Sequence, residues 1–283
     1  MSKKLIKITL VILTLLCSAL TAFSQEDCLF SGFQNPPSSA RPFFRWWWNG
    51  NRVTADEIRR EMDVMKAAGA GGVEINPIAM HEAEDDLSGV ALQWLSDSWN
   101  EMVRVAAEYG AEQDMFVDLI VGTGWPFGGE FLEPDETIQG IELEVIPVTG
   151  NSTFIDTLVN PDDPHCQIMQ ITLYPEVIDS SNCGTDLSGQ LMPDGTLQAI
   201  IPEGKWELYV LRLRSTFREV MFGAPGGDGP VLDHFNKQAV LSYLNRMSER
   251  INLVFGEHLG SGIRSLFCDS IELSGANWTS DFA

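Results

Sequence analysis

The sequence predicts an α/β fold: about four βα units of a partial (β/α)8, TIM-like barrel, interrupted by an inserted antiparallel β subdomain. Three observations predict it. Short apolar strands alternate with amphipathic helices at the spacing of parallel βα units. From Ile138 to about Phe217 that rhythm gives way to apolar–polar alternation with no helix-length period. The apolar strands end in polar and aromatic residues, and a parallel barrel builds its site at the C-terminal ends of its strands. The expected division is a signal peptide over 1–24, the first part of the barrel over 25–137, the insert over 138–217 and the barrel continued over 218–283.

Lys3, Lys4 and Lys7 precede the short apolar core Leu10–Leu16, and Ala22-Phe23-Ser24 offers small residues where a signal peptidase reads, so cleavage is expected before Gln25. This implies export to the periplasm or the extracellular space. Cys17 raises lipoprotein anchoring, but Leu16 stands before it instead of a small residue. No later stretch is long and apolar enough to span a bilayer. Four cysteines follow the leader. Cys166 and Cys183 are the plausible disulfide pair in an exported chain, and Cys268, inside an apolar run, is expected to be a buried thiol.

Pro42 to Gly50 is short and aromatic, ends in Asn-Gly and reads as the first strand, with Trp46 and Trp48 on one face and Trp47 on the other with Arg45. Thr54 with Glu57 makes a capping box; the helix behind it stacks Ile58, Met62 and Met65 and stops at the glycines 69, 71 and 72. Val73–Pro77 is the second strand. A helix from about Ser96 to Tyr109 buries Trp99, Met102, Val103 and Ala106, with Gly110 as its stop. Met115–Val121 is the third strand and runs into the glycine-rich loop 122–129. The insert carries alternating runs such as Trp206–Leu213, with turn signals at Asp194-Gly195 and Glu203-Gly204. A third helix from about Asn236 to Phe255 ends at Gly256. Ser265–Leu273 then delivers a fourth strand that finishes in acids, Asp269 and Glu272. Four parallel strands are half of an eight-stranded barrel, so the chain is expected to be the front part of a longer protein.

Net charge is -22 over the whole chain and -25 (-22 minus 3) without the three leader lysines, which argues against nucleic acid and anionic membrane surfaces as partners. The polar residues expected to converge at the strand ends are Asn49, Glu74, Asn76, Asp118 with Thr123 and Trp125, and Asp269 with Glu272 and Trp278. Amides and acids bind sugar hydroxyls, indoles stack on the C–H face of a sugar ring, and a carboxylic acid can protonate a glycosidic oxygen. Glu272, flanked by Ile271 and Leu273 and close to Asp269, is the candidate acid; against this stands a role for Glu272 as a simple loop cap.

Rival chemistries are weaker. The loop 122–129 lacks the lysine of a phosphate cradle and the GxGxxG spacing. His234 stands near a helix start, where a packing role is commoner than a base. Ser270 lacks a nucleophile elbow, and no CxxC or HExxH pattern marks zinc. Convergent carboxylates also suit Ca²⁺. A sugar-binding protein without chemistry and a non-functional fragment are the two other classes the sequence leaves open.

Phe44–Gly50, Gly71–Ile75, the loop 122–129 and Phe267–Glu272 with Asn277-Trp278-Thr279 resemble the N-terminal part of glycoside hydrolase family 106, the α-L-rhamnosidases. The motifs spread over nearly all of the chain after the leader, and four in the right order are more specific than any one. The resemblance implies an eight-stranded α/β barrel with β-rich insertions, inverting chemistry by two glutamates, a carbohydrate substrate and a calcium ion near the bound sugar. It carries the general acid to Glu272. The base is expected beyond Ala283.

Overall fold

The computed structural model describes residues 29–79, 89–177, 184–256, 260 and 262–282. The leader with Cys17, and Cys183 with its expected bond to Cys166, lie outside these residues.

The chain is a mixed α/β structure with one four-stranded parallel sheet and two antiparallel sheets. Strands β1 (Phe43–Asn49), β2 (Gly72–Ile78), β3 (Phe116–Ile120) and β10 (Leu266–Phe267) pair in that order, all parallel. Helices α1 (Ala55–Ala67), α2 (Asp97–Glu112) and α3 (Lys237–Phe255) are the crossovers.

Strand alternation decides what each face of this sheet carries. Trp46, Trp48, Val73, Ile75, Val117 and Leu119 are buried in one core with Ile58, Met62, Trp99, Val103, Tyr243 and Met247 of the helices. The Trp46 indole donates to Glu61 of α1 at 2.6 Å, and the Trp99 indole donates to Asn51 at 3.2 Å. Trp47 faces the other way and is 39% exposed. Two of the three consecutive tryptophans are therefore packing, and the third is available.

Helix ends follow their local chemistry. The hydroxyl of Thr54 accepts from the Glu57 amide at 3.3 Å, whereas the Glu57 side chain turns away to Arg60. Asn236 caps α3 through the amides of Gln238 and Ala239. Gly110 is not the stop expected from sequence: α2 runs on to Glu112. Its lack of a side chain serves packing, since a Cβ there would stand 2.8 Å from Cγ2 of Val117 on β3.

Between β3 and α3 lie β4 (Gln139–Thr149), β5 (Ser152–Thr157), β6 (Cys166–Pro175), β7 (Thr185–Asp186), β8 (Thr196–Ile201) and β9 (Lys205–Ser215). β4 and β6 flank β9 and β7 continues that sheet, while β5 pairs with β8. Ile171, Leu173, Leu197, Ile201, Leu208 and Val210 form a second core there. A small third core of Ile138, Val220 and Val231, with Phe217, Leu273 and Ala276 against it, sits where the antiparallel region joins the rest.

The fourth strand differs from its expectation. β10 is two residues long, Leu266 is 45% exposed, and Cys268 is exposed instead of buried. The cause is position: β10 is the edge of the sheet, and no described strand lies against its far side.

Candidate active site

The sheet face opposite the helices is polar. Register puts Arg45, Glu74 and Asp118 side by side on β1, β2 and β3, with Trp47 and Asn76 paired one step further along. Arg45 organises this surface. Its Nε stands 3.3 Å from Glu74 and its Nη1 is 2.9 Å from Asp269, just past β10. Its guanidinium also lies over the rings of Trp47 at 5.5 Å and Phe267 at 4.8 Å, an arrangement that suits a planar, delocalised cation. Asn76 donates to the Glu74 carboxylate at 2.8 Å. Its Oδ1 is buried with no partner among the described residues, an acceptor left unpaired.

Asp118 sits two residues short of the end of β3, and its carboxylate is only 7% exposed. Both oxygens accept from Arg264, one from Nε at 3.0 Å and the other from Nη2. Stacking of Arg264 over Phe43 and Phe116 completes the pair. The carboxylate in turn pushes the Arg264 guanidinium above its ordinary range. Asp118 is thus engaged within the sheet rather than presented at its rim.

The loop 122–129 is pinned to the segment 221–230. The Thr123 hydroxyl accepts from the Ala224 amide at 2.7 Å and donates to the Gly227 carbonyl at 3.2 Å. Trp125 and Met221 exchange backbone bonds at 3.1 Å, and the Trp125 ring tilts against Phe222 at 5.2 Å. Asn49 is exposed at the end of β1. Thr123, fully buried, braces the loop; Trp125 remains partly open.

Asp269 accepts from the Ser270 amide at 2.7 Å while Arg45 holds its other oxygen. Three residues on, Glu272 has a 52% exposed side chain, and its carboxylate stands 3.9 Å from Arg218. Arg218 also donates to the Glu272 carbonyl. No bond joins Glu272 to Asp118 or to Trp125; each of the three has its own partner. Trp278 bridges Gln139 through its backbone, and its ring tilts against Phe282 at 5.2 Å. The structure therefore unites Glu74 and Asp269 through Arg45, with Asn76 joined through Glu74, and holds Asp118, the Thr123–Trp125 loop, Glu272 and Trp278 on separate supports.

His234 packs edge-on against Phe127 at 4.5 Å and its Nδ1 donates to the Leu232 carbonyl at 2.7 Å. Burial lowers its pKa and raises that of neighbouring Asp233. The Ser270 hydroxyl points at Asp269, not at a histidine.

Calcium fits these residues poorly. No group of three or more His, Cys, Asp or Glu side chains lies together among the described residues. Glu74 and Asp269 already share the guanidinium of Arg45, and Asp118 holds that of Arg264.

Reading the sequence picked out the carboxylates and indoles and missed the arginines. Arg45 and Arg264 each bridge strands far apart in the chain. The signal for Arg45 was its place on the Trp47 face; for Arg264 there was none.

The curated "Putative beta-glucuronidase" of Formosa agariphila is 22% identical over 312 residues, covering 96% of this chain and 26% of that protein. The solved rhamnosidase from Novosphingobium sp. PP1Y superposes with a TM-score of 0.65 at 16% identity, over 88% of this chain and 40% of that one, so the two share a fold. The chain thus spans about a quarter of the length of the first and two fifths of the second. The family model described as alpha-L-rhamnosidase matches residues 34–185 and 174–283, nearly all of the described chain, and on that match the protein belongs to glycoside hydrolase family 106.

Proposed function

We propose that this chain is the front part of an exported, inverting α-L-rhamnosidase in which Glu272 is the general acid. In this reading the parallel sheet is half of an eight-stranded barrel, residues 25–137 and 218–283 belong to it, and 138–217 are its insert. The leader 1–24 directs export to the periplasm or beyond. The observation that carries the reading is Arg45, which ties the acid-bearing segment after β10 to the inner sheet face. Asn49, Asn76 and Glu74 supply hydroxyl partners, and Trp47, Trp125 and Trp278 supply apolar faces for the sugar ring.

Inversion needs two carboxyl groups roughly 6.5–9.5 Å apart, with water between the base and the sugar. Glu272 protonates the leaving oxygen; the base comes from the part of the enzyme outside this chain. Open to solvent and linked to Arg218 at 3.9 Å, Glu272 can exchange that partner for a substrate oxygen when sugar enters.

The test is the full-length protein assayed on 4-nitrophenyl α-L-rhamnoside, with the product anomer followed by NMR. Release of rhamnose as the β-anomer is expected; retention overturns the inverting assignment. Since one relative carries a glucuronidase name, the β-D-glucuronide is run beside it. Turnover of the glucuronide alone replaces the substrate, and calorimetric binding without product replaces the enzyme by a sugar-binding protein.

A further inference from the structure

The segment that bears Glu272 does not hang free from β10. It is clipped to the two chain segments through which the antiparallel region enters and leaves. At the exit, Arg218, three residues past β9, donates to the Glu272 carbonyl and places a second nitrogen 3.9 Å from the carboxylate. At the entrance, Asn277 behaves as a piece of strand: its Oδ1 accepts from the Ile141 amide at 2.6 Å and its Nδ2 donates to the Ile141 carbonyl at 3.0 Å. Trp278 bridges Gln139 by its backbone. Between these clips Leu273 and Ala276, like Phe217 from the exit, pack against the small core of Ile138, Val220 and Val231. Gly140 lets the segment approach, because a Cβ there would stand 2.7 Å from the Gly275 carbonyl. Arg218 is itself fixed, its carbonyl accepting from the Val231 amide at 3.0 Å.

We propose that the roots of the antiparallel region set the position of the acid, with Arg218 as the positioning residue of Glu272 and Asn277 as its second anchor. This rests on Glu272 being the acid. The physical case is one of angles. A planar guanidinium can bond a carbonyl and face a carboxylate of the same residue at once. Its bond to the carbonyl fixes the height of the Glu272 backbone, while the charge 3.9 Å from the carboxylate draws the side chain to the same side and leaves it exchangeable. Proton donation to a leaving oxygen depends on such placement, and misplacement of about 1 Å costs roughly 10²-fold.

The experiment uses the leaving group as its reporter. A 4-methoxyphenyl leaving group needs a proton from the enzyme; a 2,4-dinitrophenyl group departs almost without one. In the full-length protein, Arg218→Met is expected to lower kcat on the methoxyphenyl α-L-rhamnoside roughly 10²-fold with KM nearly unchanged, and to leave the dinitrophenyl substrate within about threefold. Arg218→Lys, which keeps charge but loses the fork, is expected to recover only part of the loss. Equal losses on both substrates, or none on either, overturn the proposal. Glu272→Gln runs in parallel. If it shows the leaving-group contrast and Arg218→Met does not, this inference alone fails; if it shows no contrast, the acid assignment fails and this inference with it. Should Arg218→Met not fold, Asn277→Ala carries the same two-substrate comparison. Faster hydrogen exchange at the Ile141 amide reports that its clip has opened, and an exchange rate equal to wild type counts against the clip.

Discussion

Asp118 and Glu272 are both carboxylates beside a guanidinium, at two depths of the same parallel sheet, and they are held differently. Asp118, within β3, accepts two bonds from Arg264, is nearly excluded from water, and has aromatic rings over its partner. Glu272, beyond β10, stands 3.9 Å from Arg218 and is half exposed. Buried pairs of the first kind resist separation, because either partner alone would be left uncompensated. Open pairs of the second kind contribute little to stability and are easily exchanged. A carboxylate beside a guanidinium is thus locked at one level of the sheet and open to exchange at another, and depth and partner geometry decide which.

Four changes break or sharpen that contrast. The largest effect is expected from Glu272→Gln: a fall of about 10²–10⁴ in kcat on an aryl α-L-rhamnoside with a poor leaving group, and a thermal midpoint close to wild type. A matching collapse in stability would make Glu272 architectural after all. Next is Arg264→Met, which strands the buried Asp118 carboxylate. About 2–3 kcal/mol of stability should be lost in denaturant titration, at or below the foot of the usual range of about 3–5 because Arg264 itself is open to water. Gly110→Ala tests the packing beneath Asp118. Overpacking against Val117 costs about 1–3 kcal/mol and the gain in helix propensity returns about 1, so a net loss of about 1 kcal/mol is expected by the same titration.

The smallest effect concerns pH. Burial holds His234 neutral in the folded chain, so only the unfolded chain takes up its proton as pH falls below about 6.5. Stability from this residue is present above that pH and declines below it, by at most about 1.4 kcal/mol per pH unit. His234→Gln should flatten the difference between stabilities measured at neutral and mildly acidic pH. Asp233, whose pKa burial raises, acts in the opposite sense at lower pH: it stabilises the folded chain where protonated and loses that contribution as pH climbs.

Local chemistry made the parallel strands and helices legible. The aromatic run ending in Asn-Gly, the Thr54 cap, the helix starting near Asn236 and the period-two alternation over 138–217 each depend on neighbours within a few residues, and each reappears in the structure. What escaped depends on distance along the chain. Gly110 looked like a stop because its role is contact with Val117, not backbone freedom. Cys268 looked buried because an apolar run does not reveal that its strand lies at a sheet edge. Asp118 looked like a rim residue because Arg264 lies 146 positions away. For the site, residue types were readable but partners were not: Arg45 and Arg218 emerge only once β1, β10 and the exit from β9 are brought together.

The most direct measurement is the ratio of kcat for the dinitrophenyl and methoxyphenyl α-L-rhamnosides in Glu272→Gln of the full-length protein. Loss of proton donation predicts a ratio raised by about 10² or more over wild type, with the activated substrate almost untouched. A ratio equal to wild type, whatever the absolute rates, contradicts proton donation by Glu272.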